Sequence, residues 1–191
     1  ELFRANGMPP TSYKFEVADA AAFLESLGED SFDTVFSFGL LYYTTEPYRL
    51  LRLMCRVASK TVLLDTFTAA YAVIQGKDAL KVYPRISPKT LELPLMLFAR
   101  TQPEKKDYRL PETFQHRGRE ISLTSLPTPA LLELWFQSLG MKFQKLDWSD
   151  YILGPRTYHD LVTTDQKRKS HWADIYSSEV RVAYRLSPKM R

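Results

Sequence analysis

Residues 15–67 constrain the fold more than any other part of the chain. They read FEVADAAAFLESLGEDSFDTVFSFGLLYYTTEPYRLLRLMCRVASKTVLLDTF. Tyr13, Phe15 and Val17 alternate with Lys14 and Glu16, which predicts a strand with one polar face. Asp19 stands as the N-cap of a helix that runs through Leu27 and stops at Gly28. Residues 35–38 predict a buried strand of β-branched and aromatic side chains. Pro47 opens a helix at its first turn, and Leu50, Leu51, Met54, Val57 and Ala58 recur at helical spacing. Residues 61–67 predict another continuous strand, the pattern of a parallel sheet with helices on both faces. Strand, helix, strand, helix and strand in about fifty residues predict a doubly wound α/β unit.

The remainder fits around that unit. With 191 residues the chain suits one domain with a sizeable core. Residues 1–6 read as a helix tail closed by Gly7, and residues 1–67 are assigned to the α/β core. From 68 to 122 the rhythm is broken by prolines at 84, 88, 94, 103 and 111. Residues 77–121 hold ten Lys/Arg against six Asp/Glu, so this stretch accounts for the whole chain's net charge of +4. It is expected to be an insertion or lid over the top of the sheet, with a short hairpin. Residues 123–191 close the domain. Thr128 and Pro129 start a helix whose apolar face is Leu131, Leu132, Trp135, Phe136 and Leu139, and Gly140 ends it. Residues 143–148 and 180–186 then read as two strands, an antiparallel closing hairpin.

Several chemistries find no support. There is no Gly-x-Ser-x-Gly elbow and no P-loop. His116, His159 and His171 show no metal-ligand spacing with one another or with Cys55, so no metal is expected. Cys55 is the single cysteine, which rules out an internal disulfide and suits a reducing, cytoplasmic compartment. It falls among apolar helix residues, where a small buried thiol is expected rather than a nucleophile. No apolar run approaches the ~20 residues of a membrane helix. The basic balance is compatible with an anionic partner without requiring one.

Ligands of open α/β sheets bind beyond the carboxyl ends of the strands, so the candidate site residues are sought there. Asp19 and Ala20 end the first strand, where a carboxylate and a neighbouring backbone N–H suit the edge of an adenine ring. Helix capping is the alternative role for Asp19. Phe38 and Gly39 end the second strand, Gly39 allowing close backbone approach to a ligand, and Tyr42 and Tyr43 follow in the loop.

Those residues carry a resemblance. The segment FDTVFSFGLLYY, with Pro47 behind it, resembles the corresponding strand and loop of class I S-adenosylmethionine-dependent methyltransferases. The stretches SLPTPALLELWFQSLGMKFQKLDWSDY, TTDQKRKSHW and VRVAYRLS are similar to the C-terminal half of the tRNA wobble-uridine carboxymethyltransferases. The resemblance implies a Rossmann-like sheet, S-adenosylmethionine as cofactor (with carboxy-S-adenosylmethionine as its variant), and cofactor contacts from Asp19, Ala20, Phe38 and Gly39. It places Tyr42 and Tyr43 near the transferred group and implies that Tyr42 and Arg181 hold the cofactor carboxylate. A guanidinium and a phenol suit that task, the guanidinium gripping a carboxylate with two hydrogen bonds. The alternative for Arg181 is a solvated position on the polar face of an edge strand. The family's loop histidine is Tyr43 here, and plain S-adenosylmethionine is the primary expectation.

The methyltransferase fold also needs a glycine-rich turn after its first strand. The seven glycines, at 7, 28, 39, 76, 118, 140 and 154, are too dispersed to form it. The expectation is therefore a sheet lacking its first two strands, N-terminally truncated, which alone binds cofactor weakly or not at all. The expected reaction is methyl or carboxymethyl transfer to oxygen or nitrogen, with a tRNA wobble uridine as the acceptor the resemblance implies. The alternatives are a small-molecule acceptor, or a non-catalytic RNA- or protein-binding domain on the same fold. His116-Arg117-Gly118-Arg119 and residues 167–172 are the basic stretches that would meet RNA.

Overall fold

A computed structural model describes residues 2–74, 88–101, 113–152, 172–177 and 179–188. The elements in chain order begin with α1 (Leu2–Ala5), α2 (Ala20–Ser26), β1 (Phe32–Phe38), α3 (Pro47–Val57) and β2 (Ala58–Phe67). They continue with α4 (Ala69–Ile74), α5 (Pro88–Leu91), β3 (Met96–Thr101), β4 (Thr113–His116) and β5 (Arg119–Pro127). The last are α6 (Pro129–Ser138), β6 (Met141–Lys145) and β7 (Arg181–Pro188).

The principal sheet has the order β1-β2-β7-β6. β1 and β2 are parallel, with Val35 opposite Val62 and Phe38 opposite Asp65. β7 returns antiparallel to β2, with Leu64 opposite Tyr184, and β6 pairs antiparallel on its other side. The expected α/β, Rossmann-like sheet with an antiparallel closing hairpin is therefore the observed fold.

One sheet face collects the apolar positions of every strand, because alternate residues share a face. Val62, Leu64, Val182, Tyr184 and Leu186 bury there against Leu51 and Met54 of α3 and Leu132 and Phe136 of α6. Leu51, Leu132 and Phe136 are wholly buried. Proline at the first turn starts α3 and α6 alike, and Thr128 caps α6 by accepting from the Leu131 N–H at 3.2 Å. The two helices touch through Tyr48, whose ring packs at a tilt on Trp135 at 5.5 Å and whose hydroxyl hydrogen-bonds Ser138 at 3.1 Å.

The predicted strand over residues 13–17 is not formed. Tyr13 has extended backbone angles, yet no described strand pairs with this segment, and Phe15 and Val17 are exposed. A pattern of alternation makes a strand only when a neighbour takes its backbone N–H and C=O groups. Here the aromatics pack on one another instead, Phe3 lying 4.9 Å from Tyr13 and 5.8 Å from Phe15. β1 has β2 as its one strand neighbour among the described residues.

β3, β4 and β5 make a second sheet, of order β3-β5-β4. The hairpin expected in the insertion is the β4–β5 pair, turned by Arg117 and Gly118, both at positive φ. That combination is the two-residue turn whose twist matches antiparallel strands. β5 runs on through Pro127, and Ser125 donates to the Thr44 carbonyl at 2.6 Å. The second sheet is thereby tied to the loop that follows β1.

Candidate functional site at the carboxyl ends of the parallel strands

β1 ends at Gly39, whose N–H donates to the Asp65 carbonyl at 2.9 Å. The residue sits at φ +72°, in the region that L side chains disfavour. Space there is limited as well: a Cβ would lie 3.3 Å from Tyr42 Oη and 3.6 Å from Arg181 Nη2. Two polar tips from separate parts of the chain therefore converge above one backbone position. Leu41, wholly buried, anchors the short 3-10 turn Leu41–Tyr43 that carries Tyr42 and Tyr43.

Beside this point lies an open cleft of about 400 Å³, bounded by Ala18, Asp19, Ala20, Leu40, Tyr43 and Leu50 among others. Its volume is in the range of small-ligand sites. Asp19 caps α2, its Oδ1 accepting from the Ala22 N–H at 2.9 Å, and this turns the Ala18–Ala21 backbone along one wall. Arg49 braces the rim through Glu25 and Glu46, at 2.6 and 2.7 Å. The two carboxylates hold the Arg49 guanidinium pKa above its ordinary value. The Tyr42 and Tyr43 rings meet at a tilt, 4.3 Å apart, and join the cleft to the space above Gly39.

The other side of that space is an ionic cluster. Asp65, near the end of β2, is 5 % exposed. Its Oδ1 accepts from Arg181 Nε at 2.5 Å and its Oδ2 from Tyr176 Oη at 2.5 Å, and Arg181 Nη2 also contacts Oδ1. The guanidinium lies 5.1 Å from the centre of the Phe67 ring, a cation–π contact. Tyr42 and Tyr71 flank Phe67 at 5.0 and 4.3 Å. Burial, and secondarily the hydrogen bond to Asp65, push the Tyr176 phenol above its ordinary pKa, so it remains a donor.

The structure thus brings Asp19, Ala20 and Tyr43 to one cleft, and Gly39, Tyr42 and Arg181 to the adjoining point. Phe38 does not line the cleft: it is 63 % exposed, lies opposite Asp65 on the sheet face that carries Arg181, and packs edge-on against Phe36 at 5.7 Å. Residues 153–171, with the QKRKSH segment, fall outside the described residues. Asp65, Phe67, Tyr71 and Tyr176 were not singled out by sequence. The available signal for Asp65 was a lone carboxylate near the end of the apolar run TVLLDTF. A larger cavity, about 620 Å³, opens at the opposite strand ends beside Cys55 and Arg56. Burial pushes the Cys55 thiol up to about 12, so it offers no ready nucleophile. Among the described residues no His, Cys, Asp or Glu group could hold a metal ion, and no helix is long and apolar enough to cross a membrane.

No protein-family model matches the chain, and no curated protein matches it. Solved structures do. The N-terminal domain of EvdMO1, crystallised in the presence of SAH and D-fucose, is 16% identical with a TM-score of 0.50. That likeness covers 100% of this chain and 59% of that one. A SAM-dependent methyltransferase from Archaeoglobus fulgidus is 11% identical over 97% of this chain and 79% of its own, with a TM-score of 0.41. The chain spans about 59% of the EvdMO1 domain's length, and the likeness concerns the fold.

Proposed function

We propose that the chain is the strand-end half of a class I methyltransferase site, using S-adenosylmethionine to methylate an oxygen or nitrogen acceptor. The observation that carries this is the convergence of Tyr42 Oη and Arg181 Nη2 above Gly39, next to a cleft walled by Asp19, Ala20 and Tyr43. The SAH present with the EvdMO1 domain supports the choice of cofactor. The cleft fits an adenosyl group in size and in its mixture of apolar wall and backbone edge.

The Ala20 N–H and the turn held by Asp19 meet the adenine edge, and Leu40 and Tyr43 line its ring. Gly39 lets the backbone approach the cofactor without a side chain between them. Bound S-adenosylmethionine supplies an already activated methyl group, so the protein's task is proximity and orientation rather than nucleophilic attack. Tyr42 and Tyr43 border the transferred group and keep water from it. Tyr42 and Arg181 suit a carboxylate, which favours testing carboxy-S-adenosylmethionine beside the plain cofactor.

For the acceptor we propose the hydroxyl of a modified tRNA wobble uridine, supported by the resemblance of the C-terminal stretches and by the exposed tip His116, Arg117 and Arg119 on the second sheet. The compartment proposed is the cytoplasm. The test is incorporation of a labelled methyl or carboxymethyl group into bulk tRNA, with small-molecule acceptors in parallel. Label in tRNA that is lost on Tyr42→Phe supports the proposal. Cofactor binding without label in tRNA moves the acceptor to a small molecule. Absence of both overturns the enzymatic reading.

A further inference from the structure

Asp65 is a buried acid that methyl transfer does not itself require. Both of its oxygens already accept hydrogen bonds, Oδ1 from Arg181 and Oδ2 from Tyr176. A carboxylate so engaged is placed to hold its neighbours. Its backbone acts on the same place, because the Asp65 carbonyl receives the Gly39 N–H. One residue therefore fixes both the floor of the site, at Gly39, and the arginine beside it.

An unrestrained arginine has rotamer freedom that a ligand would have to overcome. Here the guanidinium is held from one side by Asp65 and lies against the Phe67 ring. Asp65 also offsets the positive charge of Arg181. What remains for a ligand is therefore position: Arg181 Nη2, held by Asp65, and the Tyr42 hydroxyl both stand beside the space over Gly39.

We propose that Asp65, steadied by Tyr176, is a positioning residue that aims Arg181 so that Arg181 and Tyr42 together receive a carboxylate oxygen of the bound ligand. This rests on the methyltransferase reading and goes beyond it by naming what sets the site's selectivity for a carboxylated over a plain sulfonium cofactor.

The test compares the chain with Asp65→Asn, which keeps the side-chain shape and removes the charge. Two readouts are taken by NMR: the order of the Arg181 Nε–Hε group without ligand, and dissociation constants for S-adenosylmethionine and carboxy-S-adenosylmethionine. The expected result is a rigid Arg181 in the parent chain and a mobile one in Asp65→Asn. The preference for the carboxylated cofactor falls about ten-fold, the size of one charge-assisted hydrogen bond, while affinity for the plain cofactor stays within about two-fold. Tyr176→Phe removes one hydroxyl and shifts the same ratio in the same direction by less, which keeps the test open should Asp65→Asn fail to fold.

A mobile Arg181 in the parent chain, an unchanged ratio, or a stronger preference for the carboxylated form in Asp65→Asn overturns the positioning role. So does an equal loss of both affinities, which marks Asp65 as structural. Binding of the plain cofactor with no gain from the carboxylate overturns the carboxylate assignment and leaves the methyltransferase reading standing. A rigid Arg181 with neither cofactor bound overturns that reading itself, and the role in ligand selection with it.

Discussion

On one face of the principal sheet, Val62, Leu64, Val182, Tyr184 and Leu186 lie beneath α3 and α6 and are at most 1 % exposed. On the other face Phe36 and Phe38, on the edge strand, are each 63 % exposed. Both sets are apolar and both sit in well-formed strands, so hydrophobicity alone does not separate them. The difference is what covers them. Two amphipathic helices close the first face, while the second is shared between exposed aromatics and the Asp65–Arg181–Tyr176 cluster. The covered face supplies stability, the other face carries the Asp65–Arg181–Tyr176 cluster, and the ligand-sized cleft opens between α2 and the start of α3.

The sharpest way to break this comparison is a matched pair of truncations. Phe136→Ala, in the covered core, is expected to cost about 3–5 kcal/mol. Phe36→Ala, on the open face, is expected to cost less than about 1 kcal/mol. Urea denaturation measures both, and equal losses would show that the open face is buried in solution. Next in size is Gly39→Ala. The left-handed conformation costs an alanine about 1–2 kcal/mol, and its Cβ would crowd Tyr42 Oη at 3.3 Å. Both stability and cofactor affinity should fall, whereas a loss of stability alone would detach Gly39 from the site.

A smaller effect is expected from Tyr184→Phe. The buried phenol donates to Glu133 at 2.9 Å, and burial, reinforced by that bond, raises its pKa. Losing the bond should cost about 1 kcal/mol by thermal denaturation, and no cost would mean the pair is solvated. The smallest effect concerns Cys55. Its folded pKa of about 12 stands above the ordinary 9.0, so between those values the folded protein retains a proton that the unfolded chain has lost. The thiol's contribution to stability is therefore complete below pH 9 and is lost as pH rises toward 12. Thiol-specific reagents at pH 9 should label the unfolded chain quickly and the native chain slowly, and rapid native labelling would contradict the burial.

Sequence made the covered face legible because its signals are local. Pro47 and Pro129 mark helix starts, Asp19 and Thr128 mark caps, and the apolar spacing of α3 and α6 names the residues that bury. Residues 13–17 show where such reasoning stops: alternation is a property of the segment, but a strand is a property of a pair. The site divides in the same way. Gly39 and Tyr42 follow directly from a strand that must end and turn. Asp65, by contrast, reads as one acid in an apolar run until β7 places Arg181 opposite Phe67 and Tyr176 beside it. Phe38 stands next to Gly39 in sequence and opposite Asp65 across the sheet, yet it does not line the cleft, which is walled by α2 and the start of α3.

The central claim is that the space joining Asp19, Gly39, Tyr42 and Tyr43 holds the adenosyl cofactor. An NMR titration of the chain with S-adenosylmethionine, carried to millimolar ligand so that weak binding is visible, tests it most directly. Saturable shifts are expected at the Ala20, Gly39 and Tyr43 amides, with none around Cys55. Shifts confined to the cavity beside Cys55 and Arg56, or no shifts at all, would contradict it.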